Sequence, residues 1–346
     1  MGFRVRISQD DSQGPDGLAV DTGQSILEAA LAAGIPWPHG CRSGNCGSCK
    51  SELLSGEVEM SPYSEYALTG AERDSGLILA CRSVPWSDCE VAWLDAGDTE
   101  VFPSRRLRCR VVSVEPATHD IRIVRLRIED DGPLAFAAGQ FAEVTFDGMP
   151  PRDYSMANQP GGAELIFHIR AIAGGRVSAW LAENLGPGDS VRLEAPFGTS
   201  YFRAAHRGPV LALAGGSGLA PILSIVEAAL AADVARPVRL LFGVRAERDV
   251  YLEDRLWALA AGHDNFSFDI ILSAPEGPTA RRSGLLHEAL AAEAPDLDGT
   301  KVYLAGPPAM VEAATAVVRE LGARRQDCHA DAFYTGAEKA ALEAAG

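Results

Sequence analysis

His39-Gly-Cys41-Arg-Ser-Gly-Asn-Cys46-Gly-Ser-Cys49 is the stretch on which the reading of this chain turns. With Cys81 added, four cysteines stand as C-x4-C-x2-C-x31-C, the spacing of a plant-type [2Fe–2S] loop. The residues between the first three are small and polar. They let the backbone wrap an anionic centre and aim N–H groups at it. Gly40, Gly44 and Gly47 suit so tight a path. Zinc is the rival metal, but structural zinc favours paired C-x2-C units, and only one such pair is present. Cys89, Cys109 and Cys328 lie in apolar surroundings and read as core thiols.

Working outward, 346 residues exceed one ordinary core and predict two to three domains. An apolar fraction of 47% with 23% charged residues is globular composition. The net charge of −16 argues against nucleic acid, whose phosphates would be repelled. Residues 1–97 carry 6 Lys/Arg against 14 Asp/Glu. That imbalance reads either as a solvated face or as a docking surface for a basic partner. No apolar run reaches the ~18 residues of a membrane span. The opening MGFRVRISQD has no signal-peptide character, and Arg6 occupies the position where myristoylation requires Ser or Thr. Seven cysteines, three of them within residues 41–49, form a ligand pattern and not a disulfide framework. A cytoplasmic protein is expected.

Three textures follow one another. Residues 3–8 alternate as a strand, 25–33 form a short amphipathic helix, and 50–60, 76–83 and 90–94 are strand-like, so a small mixed sheet ending near residue 97 is expected. Residues 95–104 read as a linker. Strand runs at 107–114, 121–129, 141–146, 164–170 and 190–194 predict an antiparallel barrel. From Pro209, apolar runs at 210–214, 238–243, 267–272 and 301–304 alternate with helical stretches at 221–232, 252–261, 284–292 and 308–321, which predicts a parallel sheet. The expected division is 1–97, a linker 98–104, 105–206 and 207–346.

Two further groups of residues carry chemistry. Arg152-Asp-Tyr154-Ser155 offers a cation, an aromatic ring and a hydroxyl on one strand, with Arg152 and Tyr154 to one side and Ser155 to the other. His168-Ile169-Arg170 and Gly174-Gly175-Arg176-Val177-Ser178 follow, the last as a helix start whose N–H groups can hold phosphate. On their own these are also an ordinary turn and a capped helix. In the last segment, Gly215-Gly216-Ser217-Gly218-Leu-Ala-Pro221 joins an apolar strand to a helix and lets a pyrophosphate approach. Its Pro221 sets it apart from the dinucleotide fingerprint G-x-G-x-x-G and suits a first helical turn. Ala305-Gly306-Pro307-Pro-Ala-Met310 is a second strand-to-helix turn. Arg245, Glu247, Arg248 and Asp249 close another strand where a ribose would sit. An acid there favours NADH, and the arginines favour NADPH.

The first hundred residues resemble a plant-type ferredoxin. From residue 3 to Thr335 the chain resembles the reductase components of Rieske-type aromatic-ring dioxygenases, of the naphthalene and terephthalate kinds. The resemblance implies a multidomain α+β protein: a β-grasp ferredoxin, an antiparallel flavin barrel and an α/β nucleotide domain. It implies a [2Fe–2S] cluster on Cys41, Cys46, Cys49 and Cys81. It implies FAD on Arg152, Tyr154, Ser155, Gly175 and Ser178, with neighbours His168 to Arg170, Gly174, Arg176 and Val177. NADH or NADPH would meet Gly215 to Gly218, Pro221, Arg245, Asp249, Gly306, Pro307 and Met310. His168 reads equally as a satisfied strand residue. Ala305 stands where the family usually has cysteine. Asp331-Ala-Phe333-Tyr334 resembles the family's terminal aromatic element, with Phe333 as the lid over the flavin or as plain core packing. Ser155 and Phe333 are the expected catalytic contacts. Hydride passes from nicotinamide to flavin, and single electrons pass through the cluster to an oxygenase or its ferredoxin. Diiron monooxygenases and deoxysugar dehydratases are alternative recipients, and a pure electron carrier is the reading of another class.

Overall fold

The computed structural model describes residues 2–8, 17–35, 37–65, 67–94, 100, 102–172, 175–232, 235–335 and 338. They group into two compact units, Met1–Pro103 with Tyr334–Gly346, and Ser104–Phe333.

In the first unit, β1 (Gly2–Ile7), β2 (Leu18–Asp21), α1 (Ile26–Ala32), β3 (Lys50–Ser55), β4 (Val58–Met60), α2 (Gly70–Asp74), β5 (Leu77–Leu79), β6 (Ser83–Pro85) and β7 (Cys89–Trp93) follow in order. The sheet runs β2-β1-β7-β3-β5, parallel only at β1–β7. The predicted strand 50–60 is two strands, because Gly56 turns at φ +94 and sends β4 into a separate ribbon with β6. Three short elements were not predicted, β2, α2 and β6, the last because the expected strand 76–83 stops as β5 at Leu79. Both helices open on a capping box, Ser25 with Glu28 and Thr69 with Glu72, which satisfies N–H groups a helix start leaves free.

The second unit begins with β8 (Arg105–Pro116), β9 (Ile121–Ile128), β10 (Phe141–Phe146), β11 (Arg152–Ser155), β12 (Glu164–Arg170), α3 (Arg176–Asn184) and β13 (Ser190–Phe197). Six antiparallel strands run β11-β10-β13-β8-β9-β12, and a bridge between Met156 and Phe167 joins the two ends into a barrel. Bulges near Val111–Ser113 and Phe141–Glu143 supply the bending that closure requires.

Then come β14 (Val210–Gly215), a 3-10 turn (Gly216–Gly218), α4 (Leu219–Ala231), β15 (Val238–Val244), α5 (Glu253–Gly262), β16 (Phe266–Leu272), β17 (Arg282–Ser283), α6 (Leu286–Glu293), β18 (Lys301–Gly306), α7 (Pro308–Glu320) and β19 (Cys328–Ala332). All six strands are parallel, in the order β17-β16-β15-β14-β18-β19. The order reverses between β14 and β18, the place where such sheets bind ligands. Every residue of β14 and β18 is buried, as a strand covered on both faces must be.

The barrel and this sheet share one core. Ile121, Ala138 and Phe202 pack into the same apolar cluster as Leu219, Ile222 and Ile225 of α4 and Leu240 and Phe242 of β15. Ser224 of α4 donates to the Asn158 carbonyl at 2.8 Å, and the Gln159 amide donates to the Ser224 carbonyl at 2.7 Å. No helix among the described residues is long and apolar enough to cross a membrane.

Gly139 is the tightest point of that seam: its φ is +108, and a Cβ there would meet Ile225 Cδ1 and the Ser200 carbonyl oxygen, each at 2.7 Å. At Gly132, φ is +77 and a Cβ would meet nothing within 4 Å. Gly139→Ala should therefore cost roughly 2–5 kcal/mol and Gly132→Ala only about 1 kcal/mol, read from urea midpoints. Equal small losses would show that α4 does not press on the barrel.

Candidate functional site

The thiol loop is held from both ends by the five-stranded sheet of the first unit. Lys50 pairs with Leu79 across β3 and β5, which sets Cys49 and Cys81 just beyond the paired ends, and the Ala80 amide donates to the Cys49 carbonyl at 3.1 Å. Between Cys41 and Cys49 the backbone turns through positive φ at Arg42, Gly44 and Gly47. A Cβ on Gly40 would meet Cys46 Sγ at 3.1 Å, so the loop wraps closely around its sulfurs. Backbone N–H groups of Cys41, Asn45 and Cys81 donate to the sulfurs of Cys46, Cys41 and Cys49 at 3.3, 3.3 and 3.5 Å.

The sulfurs associate two and two. A hydrogen bond from Cys46 pulls the Cys41 thiol down to about 5, and the same bond and burial push Cys46 up. Hydrogen bonding to Cys81 and burial likewise raise Cys49. No three of the four sulfurs lie within 4.8 Å of one another. A single zinc ion with 2.3 Å bonds would bring all four within about 3.8 Å. Two pairs of sulfurs, each met by backbone donors, are a donor set for two adjacent metal ions. Cys89 and Cys109 are buried core thiols, as expected, whereas Cys328 is only half-buried.

In the second unit, burial deepens along β11 instead of alternating: Arg152 and Asp153 are exposed, Tyr154 half-buried and Ser155 buried. Arg152 Nη1 donates only to the adjacent Pro151 carbonyl, at 2.8 Å. The Tyr154 ring packs against Phe146 at 6.4 Å, and burial raises its hydroxyl to about 12. Ser155 Oγ donates to Asp331 Oδ2 at 3.1 Å, so β11 of the barrel meets β19 of the parallel sheet. Helix α3 follows Gly175, an N-cap with no side-chain cap, and the Gly175 N–H donates to the Ile172 carbonyl at 2.8 Å. Gly174 and the side chains of Arg176 and Ser178 lie outside the described residues. Val177 and Ile169 are buried in the barrel core, so only their backbone can face a ligand.

His168 is a correction of the same kind. Its ring is buried, accepts or donates at 3.0 Å to the Tyr251 hydroxyl, and is pulled down to about 3 by burial. The Tyr251 hydroxyl donates on to the Gly216 carbonyl at 3.4 Å. Through Tyr251 the imidazole braces the turn at Gly216.

That turn interlocks with its neighbour. A Cβ on Gly218 would lie 2.1 Å from the Ala305 carbonyl oxygen, and one on Gly306 2.9 Å from the Gly215 oxygen. Met310 Sδ would touch a Cβ on Gly215 at 2.5 Å. Pro221 sits in the first turn of α4, and Pro307 and Pro308 open α7. Half-buried Phe333 donates its N–H to the Gly306 carbonyl at 2.9 Å and packs on the core. Over these turns lies a cavity of about 270 Å³ lined by Gly215, Gly216, Arg245, Asp249, Ser273, Pro307 and Met310, together with Arg170 and Asp120 of the barrel.

The residues placed at the ribose are largely engaged with each other. Asp249 accepts Arg245 Nη2 at 2.8 Å and the Ala246 amide at 3.1 Å, Glu247 accepts Thr279 and Arg281, and Arg248 pairs with Glu276 at 3.2 Å. Asp120 and Tyr251 were not singled out in the sequence, and Asp331 only within its aromatic element. Asp120 follows a strand end with no local signature, and its place at the cavity depends on barrel closure.

Comparison with known proteins agrees with this geometry. Residues 11–85 match the 2Fe-2S iron-sulfur cluster binding domain, 108–202 the oxidoreductase FAD-binding domain and 212–316 the oxidoreductase NAD-binding domain. A Ralstonia reductase component of naphthalene 1,2-dioxygenase/salicylate 5-hydroxylase systems is 41% identical over 92% of this chain and 95% of its own. The Pseudomonas putida naphthalene 1,2-dioxygenase reductase component is 38% identical over 92% and 96%. An Amycolatopsis cytochrome P450 reductase superposes with a TM-score of 0.77 at 35% identity, covering 96% of this chain and 98% of that one. The chain therefore belongs to the ferredoxin–NAD(P)+ reductase components of oxygenase systems, the iron–sulfur flavoproteins that carry electrons from NAD(P)H.

Proposed function

We propose that this chain is a cytoplasmic, NADH-dependent electron-transfer reductase, delivering single electrons to a Rieske-type aromatic-ring dioxygenase or its ferredoxin. Bound FAD and a [2Fe–2S] centre supply the redox chemistry, which splits a hydride's electron pair into single electrons. The observation that carries the reading is the pairing of four thiols under backbone N–H donors in a chain that also presents an uncapped helix start and a cleft over two glycine turns. The naphthalene dioxygenase relatives support the dioxygenase partner. The Amycolatopsis likeness supports a second recipient, a cytochrome P450. The division at 97, 104 and 206 belongs to this reading and is supported by the three domain matches.

In this assignment Cys41 with Cys46 and Cys49 with Cys81 each hold one iron. Arg152 and the α3 start take the flavin diphosphate, and Tyr154 lies against the ring. Because Ser155 donates its hydroxyl hydrogen to Asp331, its lone pairs are free to accept from a ring N–H. Phe333, anchored by the Gly306 carbonyl, covers the face a nicotinamide must reach. Gly215 to Gly218, Pro221, Gly306, Pro307 and Met310 hold the dinucleotide so that the reacting atoms approach to about 3–3.5 Å. The acidic front segment serves as the face for a basic partner.

Cys81→Ser should lose most bound iron and electron delivery to the acceptor, while NADH still bleaches the flavin anaerobically. Full iron retention would reject Cys81 as a ligand. Ser155→Ala should slow flavin bleaching at saturating NADH by about tenfold, the size of one lost hydrogen bond, in stopped flow. An unchanged rate would remove Ser155 from the reacting edge. Adding candidate oxygenases to the NADH-reduced protein and timing reoxidation identifies the recipient.

A further inference from the structure

One wall of the nucleotide cleft comes from the barrel. Asp120 lies in the connection between β8 and β9, yet it lines the cavity beside Gly216 and Arg245. Thr118 fixes it there: its hydroxyl donates to Asp120 Oδ1 at 2.9 Å and accepts from the amides of Asp120 and Ile121 at 3.2 and 2.9 Å. The other carboxylate oxygen accepts Arg170 Nε at 2.8 Å and Arg245 Nη2 at 3.0 Å.

Arg245 is held from a second side. Its Nε and Nη2 reach Asp249 Oδ2 and Oδ1 at 3.1 and 2.8 Å, and Asp249 is itself buried. One guanidinium is thus shared between two carboxylates, one from the barrel and one from the parallel sheet. His119 stands within 3.8 Å of both. Two arginines, Arg170 and Arg245, face two aspartates, Asp120 and Asp249, so the group is neutral as a whole.

Its position gives the group a consequence. In a parallel sheet of this order the pyrophosphate rests on the turn after the first strand, and the adenosine ribose lies over the end of the next. Those places are Gly215 to Gly218 after β14 and Arg245 after β15. A 2′-phosphate brings nearly two negative charges and needs a free guanidinium, while a 2′-hydroxyl needs none.

We propose that Asp120 sets the choice of dinucleotide by clamping Arg245 against Asp249, so that the Arg245 guanidinium is withheld from a 2′-phosphate. Asp120 is a positioning residue that acts through Arg245. The proposal rests on the NADH reading above and names the residue responsible for it.

The test is calorimetric titration of the FAD-loaded, oxidised full chain with 2′,5′-ADP and with 5′-AMP, which differ only in the 2′-phosphate. Asp120→Asn should improve the affinity for 2′,5′-ADP relative to 5′-AMP by about tenfold, and the kcat/KM ratio of NADPH to NADH should rise in parallel. Adding Arg245→Ala to Asp120→Asn should abolish the gain. Equal weakening of both ligands would mean a merely structural role, and a gain that survives without Arg245 would mean a general charge effect; either overturns the proposal. If wild type already prefers 2′,5′-ADP, the NADH reading fails, and the change of the ratio in Asp120→Asn still decides the clamp. Should Asp120→Asn not retain FAD, Asp120→Ser, smaller and equally uncharged, is read by the same ratio.

Discussion

The approach of two glycine turns at the middle of the parallel sheet is the constraint on which the second unit depends. Gly218 lies so near the Ala305 carbonyl, and Gly306 so near Gly215, that a methyl group on either would force the ends of β14 and β18 apart. Their parallel register, Leu213 beside Leu304 and Ala214 beside Ala305, leaves no room for a side chain between the loops. What remains above them is bare backbone with two helix starts, α4 and α7, behind it. Such a surface favours an anion without any charged side chain.

Around this point the barrel and the parallel sheet act as one body. His168 holds Tyr251, which holds the Gly216 carbonyl; Ser155 holds Asp331; Phe333 holds Gly306. These contacts tie the barrel and Phe333 to the parallel sheet around its two glycine turns. Hydride transfer is steeply sensitive to distance and angle, and a seam of buried side chains limits both. The thiol loop of the first unit answers a different need. It holds sulfur pairs with backbone donors aimed at them, so that a change of charge is met by fixed dipoles.

Much of this was legible in the sequence because it is local. The cysteine spacing, the glycine turns and Arg152-Asp-Tyr154-Ser155 are written within a few residues each, and the barrel strands and the β14, β15, β16 and β18 runs follow from their periodicity. Short elements were missed where little apolar pattern exists: β2 has four residues, and α2 buries none of its own. The roles of His168, Tyr251, Asp120 and Asp331 were hidden for another reason. Each depends on a partner 83, 125 or 176 positions away, brought near only when the barrel closes and docks. Asp249 shows the same limit, since its type suggested a ribose contact and its neighbours show an engaged carboxylate.

The central claim is that the four sulfurs hold a two-iron centre that receives electrons originating from NADH. The most direct measurement is low-temperature electron paramagnetic resonance of anaerobically isolated, FAD-loaded protein before and after NADH, with iron and acid-labile sulfide counted on the same sample. The account predicts about two irons and two sulfides per chain and a reduced iron–sulfur signal that NADH alone brings up. A zinc-loaded chain, or an iron centre that stays silent while NADH bleaches the flavin, would contradict it.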